Sequence, residues 1–210
     1  MEVEQLKSLI KDSLAKSVSY EDYTRLIEQL VVEEKTTGPK QNEDLVYYTK
    51  LNAQRSRRLN KTVNLPENIA QQIKEIDQPQ TWLVLTESWC GDAAQSLPLL
   101  HKLADVNTNI TFRLVLRDEN DQLMDQFLTR GGRSIPKLII LNEALDVLGT
   151  WGPRPVDAQT LYDSWRNDPN KPPYKEFQVE MQKWYLKDRG QSTFAEVSKV
   201  LATGQLVEEV

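Results

Sequence analysis

The sequence predicts an α/β fold: a mixed four-stranded sheet flanked by helices, with added N-terminal and C-terminal helical segments. Three observations carry that expectation. Short β-branched and aromatic runs stand at 81–86, 110–116, 137–141 and 145–151, and apolar residues recur at helical spacing between and outside them. The resulting order of strand, helix, strand, helix, strand, strand, helix belongs to an α/β unit with an antiparallel hairpin at one side. The composition agrees. At 210 residues, 39% hydrophobic and 27% charged, the chain is long enough to bury a core and too polar to be a membrane bundle.

Val3, Leu6, Leu9, Ile10, Leu14 and Val18 form one helical stripe. Ser19, with Asp22 three residues on, caps a second helix that carries Tyr23, Leu26, Ile27, Leu30 and Val31 and stops at Thr36-Thr37-Gly38-Pro39. Leu45, Tyr48, Leu51 and Leu59 mark a third helix. Arg55, Arg57, Arg58 and Lys61 crowd its end, as expected of a solvated face complementing the helix dipole. Pro66 opens a short helix that buries Ile69 and Ile73.

TWLVLT at 81–86 is a buried strand, residues 90–106 a helix, and ITFRLVL at 110–116 the second strand. Residues 121–129 read as a helix closed by Gly131-Gly132. KLIIL at 137–141 and LDVLGTW at 145–151 make a hairpin about Asn142-Glu143. A helix follows Pro155, and Asp168-Pro169-Asn170-Lys171-Pro172-Pro173 is a rigid linker. Tyr174, Phe177, Met181, Trp184 and Tyr185 then stripe a helix as core residues. The last helix carries Phe194, Val197 and Leu201 behind a Thr193/Glu196 capping box.

The mildly acidic charge of -5 gives no support to a general nucleic-acid binder, and no apolar run is long enough to span a membrane. A single cysteine excludes an internal disulfide and a cysteine-based zinc cage. With a charged amphipathic start in place of a signal peptide, the lone thiol points to a reducing cytoplasm. No metal and no cofactor is implied. Cys90 falls where a strand ends and a helix begins, so the helix N–H groups and dipole are expected to favour its thiolate.

Residues 87–98, Glu-Ser-Trp-Cys-Gly-Asp-Ala-Ala-Gln-Ser-Leu-Pro, resemble the active-site segment of the thioredoxin family, in a monothiol Trp-Cys-Gly-Asp-Ala form. Trp89, Cys90 and Gly91 match, and Pro98 stands at the family's helix-kink distance. Arg133-Ser134-Ile135-Pro136 before KLIIL is similar to the family's cis-proline loop, and Gly152 to its glycine after the hairpin. The resemblance implies a cis Ile135-Pro136 peptide packed against Cys90, with the Ile135 backbone open to an extended substrate. Trp89, Gly152 and Pro153 would rim that groove.

The departures shape the functional expectation. Ala93 replaces the second cysteine, and Val84 stands where the family buries a proton-handling aspartate. Asp92 is expected to stabilise the first helical turn, with partial replacement of the missing proton relay as its alternative role, and Arg133 either to offset charge or hold an anionic substrate or to be an ordinary surface arginine. Arg117 with Asp118 is a lesser candidate. His101 lies about 16 Å along the helix from Cys90, too far to act as its base. The resemblance therefore implies a single-cysteine site forming transient mixed disulfides with a protein or low-molecular-weight thiol or disulfide, resolved by an external thiol. The other reading is a redox-inactive binding module using the groove or the added helices. Three segments are expected: an N-terminal helical extension at 1–77 packed on the core, a thioredoxin-like core at 78–167, and a C-terminal helical extension at 168–210.

Overall fold

A computed structural model describes residues 3–203; residues 204–210 of the expected C-terminal segment, and the first two residues, lie outside the described ones. The sheet is built from β1 (Gln80–Thr86), β2 (Ile110–Leu116), β3 (Lys137–Asn142) and β4 (Val147–Trp151) in the order β2-β1-β3-β4. β1 and β2 are parallel, while β3 runs antiparallel to both β1 and β4. Val84 is central and fully buried, paired with Leu114 on one side and Leu138 on the other. An ionised carboxylate there would need compensation that this apolar setting lacks.

The N-terminal helices are α1 (Val3–Ala15), α2 (Tyr20–Val32), α3 (Glu43–Thr62) and α4 (Glu67–Lys74). Ser19 caps α2 by accepting the Asp22 N–H at 3.0 Å, and Asn42 caps α3 by accepting from Leu45 at 2.9 Å. Between α1 and α2 the chain adds to the sheet: Val18 and Leu114 exchange backbone hydrogen bonds at 2.9 and 3.0 Å. Arg113 clasps the same segment through Ser17. The outer edge of β2 is thereby partly covered. Ile10, Tyr20, Tyr23 and Ile27 join the sheet residues in one continuous core.

α5 (Gly91–Ala104) follows β1 and contains Pro98. A proline at this point removes the N–H that would have bonded to the Ala94 carbonyl. Ser56 of α3 donates its hydroxyl to that carbonyl at 3.2 Å, so the third helix is fastened to the site-bearing helix where the proline leaves an acceptor free.

Beyond the hairpin lie α7 (Val156–Asn167), α8 (Tyr174–Asp188) and α9 (Gln191–Thr203), after the short α6 (Asp121–Met124) that precedes β3. α9 descends on β4 at Gly149, where a side-chain Cβ would stand 2.5 Å from Val200, and its Phe194, Val197 and Val200 enter the main core. α7 and α8 form a satellite cluster around Ala158, Phe177, Met181 and Tyr185.

Three local expectations are corrected. The helix expected over 121–129 ends at Met124. Gln126 and Phe127 turn back to Leu123 and Met124, and Thr129 pairs with Gly132 in both directions, so a tight turn takes the backbone groups that a longer helix would have used. The hairpin loop is longer than Asn142-Glu143: the Asn142 side chain accepts from the Asp146 N–H at 2.9 Å, with Leu145 left-handed at φ 61°. Thr193 and Glu196 form no capping box. Thr193 is buried inside α9, whose start is held by Asp188 accepting from Ser192, while Glu196 accepts from Trp151 Nε1 and Val156 N, both at 2.8 Å.

Because both extensions share the main core, limited proteolysis of the intact protein is expected to release no stable fragment near residues 78–165. A protease-resistant fragment with those ends and an unchanged melting profile would contradict this packing.

Candidate functional site

The sulfur of Cys90 sits at a junction set by local structure. Cys90 is the N-cap of α5, in extended conformation, and its Sγ accepts the Ala93 N–H at 3.4 Å. The thiol in turn donates to the Ile135 carbonyl at 3.2 Å. The Ile135-Pro136 and Gly152-Pro153 peptides are both cis. Gly152, at φ 111°, brings its Cα against the Pro136 carbonyl, so closely that a Cβ would stand 2.2 Å from that oxygen. These two loops lock together behind the cysteine.

The strand end before Cys90 is pinned by a buried hydroxyl network from the chain before α3 and from α3 itself. Ser88 N donates to Thr37 Oγ1 at 2.9 Å, Asn52 Nδ2 donates to the Ser88 carbonyl at 3.0 Å, and the Thr36 and Thr49 hydroxyls meet at 2.7 Å. Glu87 is fully buried, accepting from Asp118 N at 2.9 Å and from the Thr37 hydroxyl. Burial raises its pKa above the ordinary carboxylate value, with those hydrogen bonds opposing.

Asp92 makes the site's central ion pair. Arg154 Nη2 lies 2.7 Å from its Oδ2, and the Tyr185 hydroxyl donates to Oδ1 at 2.9 Å. The two charged side chains are only 13% and 12% exposed, so screening by water is slight. Burial alone would lower the Arg154 pKa, yet Asp92 keeps it above the ordinary arginine value. The Arg154 guanidinium also stacks 4.3 Å over the Tyr162 ring.

The Cys90 environment reverses the expected electrostatics. Its pKa is pushed up to about 12, first by burial and then by the Asp92 charge; the helix N–H groups and Arg154 act in the opposite direction and lose. The resting sulfur is a neutral thiol. The Ile135 carbonyl, expected to be open to substrate, is taken by that thiol.

Above the cysteine lies a cleft of about 360 Å³, lined by Trp89, Cys90, Gly91, Asp92, Arg133 and Ile135 from the expected site. Pro136 and Gly152 support it from behind without lining it. Trp89 is half-buried, with the Arg117 guanidinium 4.9 Å over its ring. Arg117 pairs with Asp118 at 2.7 Å, and Arg133 bonds to both Asp121 and Asp125 at 2.7 Å, so Arg133 does not offset Asp92. His101 takes no part: its ring stacks 4.3 Å from that of Tyr20.

Sequence reasoning missed the other half of the cleft. Arg55, Tyr48 and Leu45 reach it from α3, and Phe177, Gln178, Met181 and Gln182 cover it from α8. Arg55, expected on a solvated face, is half-buried here. Gln178 and Gln182, one helical turn apart between the apolar residues of α8, were the available signal, because an ordinary core stripe gains nothing from them. No group of three or more His, Cys, Asp or Glu side chains among the described residues could hold a metal ion. Among those residues no helix is long and apolar enough to cross a membrane.

A family model described as Thioredoxin (Thioredoxin_9) matches residues 38–166. No curated protein matches the chain. Among solved structures, a protein of unknown function from Pseudomonas aeruginosa superposes with a TM-score of 0.55 at 19% identity, over 76% of this chain and 86% of that one. An HIV epitope-scaffold superposes with a TM-score of 0.52 at 17% identity, over 88% of this chain and 98% of that one.

Two outcomes are expected from this electrostatic arrangement. Native-state alkylation of Cys90 should keep rising through pH 10 with no plateau near the ordinary thiol range, and Asp92→Asn should lower the apparent pKa and raise the rate at pH 8 a few-fold. A plateau at or below the ordinary thiol value in the unsubstituted protein would refute the assignment. Arg154→Met strands a buried carboxylate and should lower folding stability by about 3 kcal/mol in chemical denaturation, with much of the loss recovered when Asp92→Asn is added. Additive losses in the double variant would show that the pair is not coupled.

Proposed function

The chain belongs to the thioredoxin family whose model it matches over residues 38–166, and from that premise we propose that it is a binding protein for a small ligand, held in the cleft above Cys90. The observation that carries this reading is the α8 roof. Phe177 and Met181 are buried against the α7 side of the cluster, and their helix lies over the groove where a thioredoxin-like surface would accept an extended chain. What remains, about 360 Å³ with convergent polar groups, is the size of a small-molecule site.

The resting thiol favours binding over turnover. Raising a thiol from the ordinary 9.0 to about 12 cuts its thiolate about a thousandfold, and greater nucleophilicity returns less than half of that on a logarithmic scale. Exchange at neutral pH is then slower than for an ordinary thiol. With no second cysteine in the chain, a mixed disulfide at Cys90 also has no internal resolving partner.

A second reading, thiol–disulfide exchange, is favoured by one observation: Sγ lies on the cleft wall and receives the Ala93 N–H. In that reading the Cys90 thiolate attacks a low-molecular-weight disulfide, one thiolate leaves and takes up the proton, and an external thiol then displaces Cys90 from the mixed disulfide. A reducing, cytoplasmic setting suits a protein whose one thiol is free under either reading.

Two measurements test the proposal. In the native protein N-ethylmaleimide should label Cys90 while a maleimide carried on a long polyethylene glycol chain should not, and Met181→Ala should narrow that difference; equal labelling by both reagents would sink the roofed-cleft reading. Incubation with 2-hydroxyethyl disulfide at pH 7 should leave the intact mass largely unchanged. A rapid, complete adduct would instead select exchange.

A further inference from the structure

We infer that the cleft above Cys90 contains a built anion subsite over Gly91, formed by Arg55 with the Gln182 amide, so that the ligand is a small organic molecule bearing an anionic head group. This inference rests on the small-ligand reading of the cleft. It starts from a charge inventory. Four guanidinium groups line the cleft, from Arg55, Arg117, Arg133 and Arg154, against the single carboxylate of Asp92. Three are neutralised within the protein: Arg154 by Asp92, Arg117 by Asp118, and Arg133 by Asp121 and Asp125. Arg55 differs. Among the described residues it forms no ion pair, and its Nη1 donates only to the neutral Asn52 Oδ1 at 3.0 Å. Burial pulls its pKa below the ordinary arginine value; Asp92, whose field reaches it, is already held by Arg154 and Tyr185.

The neighbouring amides are oriented to reinforce that charge. Gln178 Oε1 accepts from the Tyr48 hydroxyl at 2.6 Å, and Gln182 Oε1 accepts from Gln95 Nε2 at 2.6 Å. With both carbonyl ends occupied, each side chain has its NH₂ end left to donate. Arg55 Nη1 and Gln182 Nε2 converge on one point: they lie 3.6 and 3.9 Å from where a Cβ on Gly91 would stand. The residue beside the cysteine has no side chain, and two donors close over the space a side chain would take. A carboxylate or sulfonate lodged there accepts from a guanidinium and an amide at once, with the rest of the molecule directed along the wall that carries Cys90 Sγ.

Methanethiosulfonates of nearly equal size and different charge test this at the cysteine itself. The Cys90 thiolate attacks the sulfenyl sulfur, the new S–S bond forms as the bond to the sulfonyl group breaks, methanesulfinate leaves, and the thiol proton passes to water. Second-order rates for the 2-sulfonatoethyl, 2-(trimethylammonio)ethyl and neutral 2-hydroxyethyl reagents, each normalised to a free small thiol, are measured on the full chain at low salt. The anionic reagent should outpace the cationic one by about tenfold or more, as expected for a focused positive site. Arg55→Gln should bring the ratio close to one, Arg55→Lys should retain most of it, and added salt should reduce it in the unsubstituted protein.

A ratio near or below one in the unsubstituted protein overturns the anion subsite while leaving a reachable cleft. A ratio that persists in folded Arg55→Gln overturns the assignment to Arg55. If none of the three reagents modifies the native protein although all modify it in denaturant, the cleft reading beneath the inference fails. Should Arg55→Gln not fold, Gln182→Leu at the half-buried amide of the same subsite serves in its place, with a reduced ratio expected and an unchanged one counting against the inference.

Discussion

The Asp92–Arg154 ion pair joins three distant parts of the chain at one buried carboxylate. Asp92 belongs to the first turn of α5, Arg154 to the loop after β4, and Tyr185, which donates to the same carboxylate, to the end of α8. Removing any one leaves a polar group buried without its partner, which costs more than the intact set contributes. Through Tyr185 the pair helps set where α8 lies, together with the Gln95–Gln182 and Tyr48–Gln178 hydrogen bonds. Once α8 lies there, the groove beside Cys90 is a cleft with a roof.

The same carboxylate governs the thiol. In the electrostatics of a helix N-terminus the N–H groups favour a thiolate, and Ala93 does donate to Sγ. Burial beneath the roof and the negative charge two residues away act against it and prevail, so the proton stays on sulfur and is shared with the Ile135 carbonyl. The feature that closes the cleft thus also quiets the cysteine. Ligand selectivity then falls to the groups around the sulfur, among which Arg55 alone carries a charge that the protein does not pair.

Much of the frame was legible along the chain because its signals are local. β-branched runs and the 3.6-residue stripe named the four strands and the helices that carry the sheet. The Trp89-Cys90-Gly91 turn, Pro98 and the Ser134-Ile135-Pro136 segment located the cysteine and the loop it touches. The failures came where a local pattern lost to a competing hydrogen-bond partner. Glu196 stood at capping-box spacing from Thr193, yet Trp151 and Val156 from β4 and α7 take its carboxylate. Phe127 and Leu128 continued a helical stripe, but the Thr129/Gly132 pairing satisfied the backbone sooner.

The sequence by itself determined the sheet-forming segments, the single thiol at the start of a helix and the absence of a second cysteine to resolve it. These follow from periodicity, turn chemistry and composition, which act over a few residues. Only the tertiary structure decided that Arg55, thirty-five positions before the cysteine, and Gln182, ninety-two positions after it, meet above Gly91. It decided likewise that Asp92 faces Arg154 rather than water. Burial and charge pairing depend on distances through space, and no spacing along the chain encodes which distant side chains will share one low-dielectric cleft.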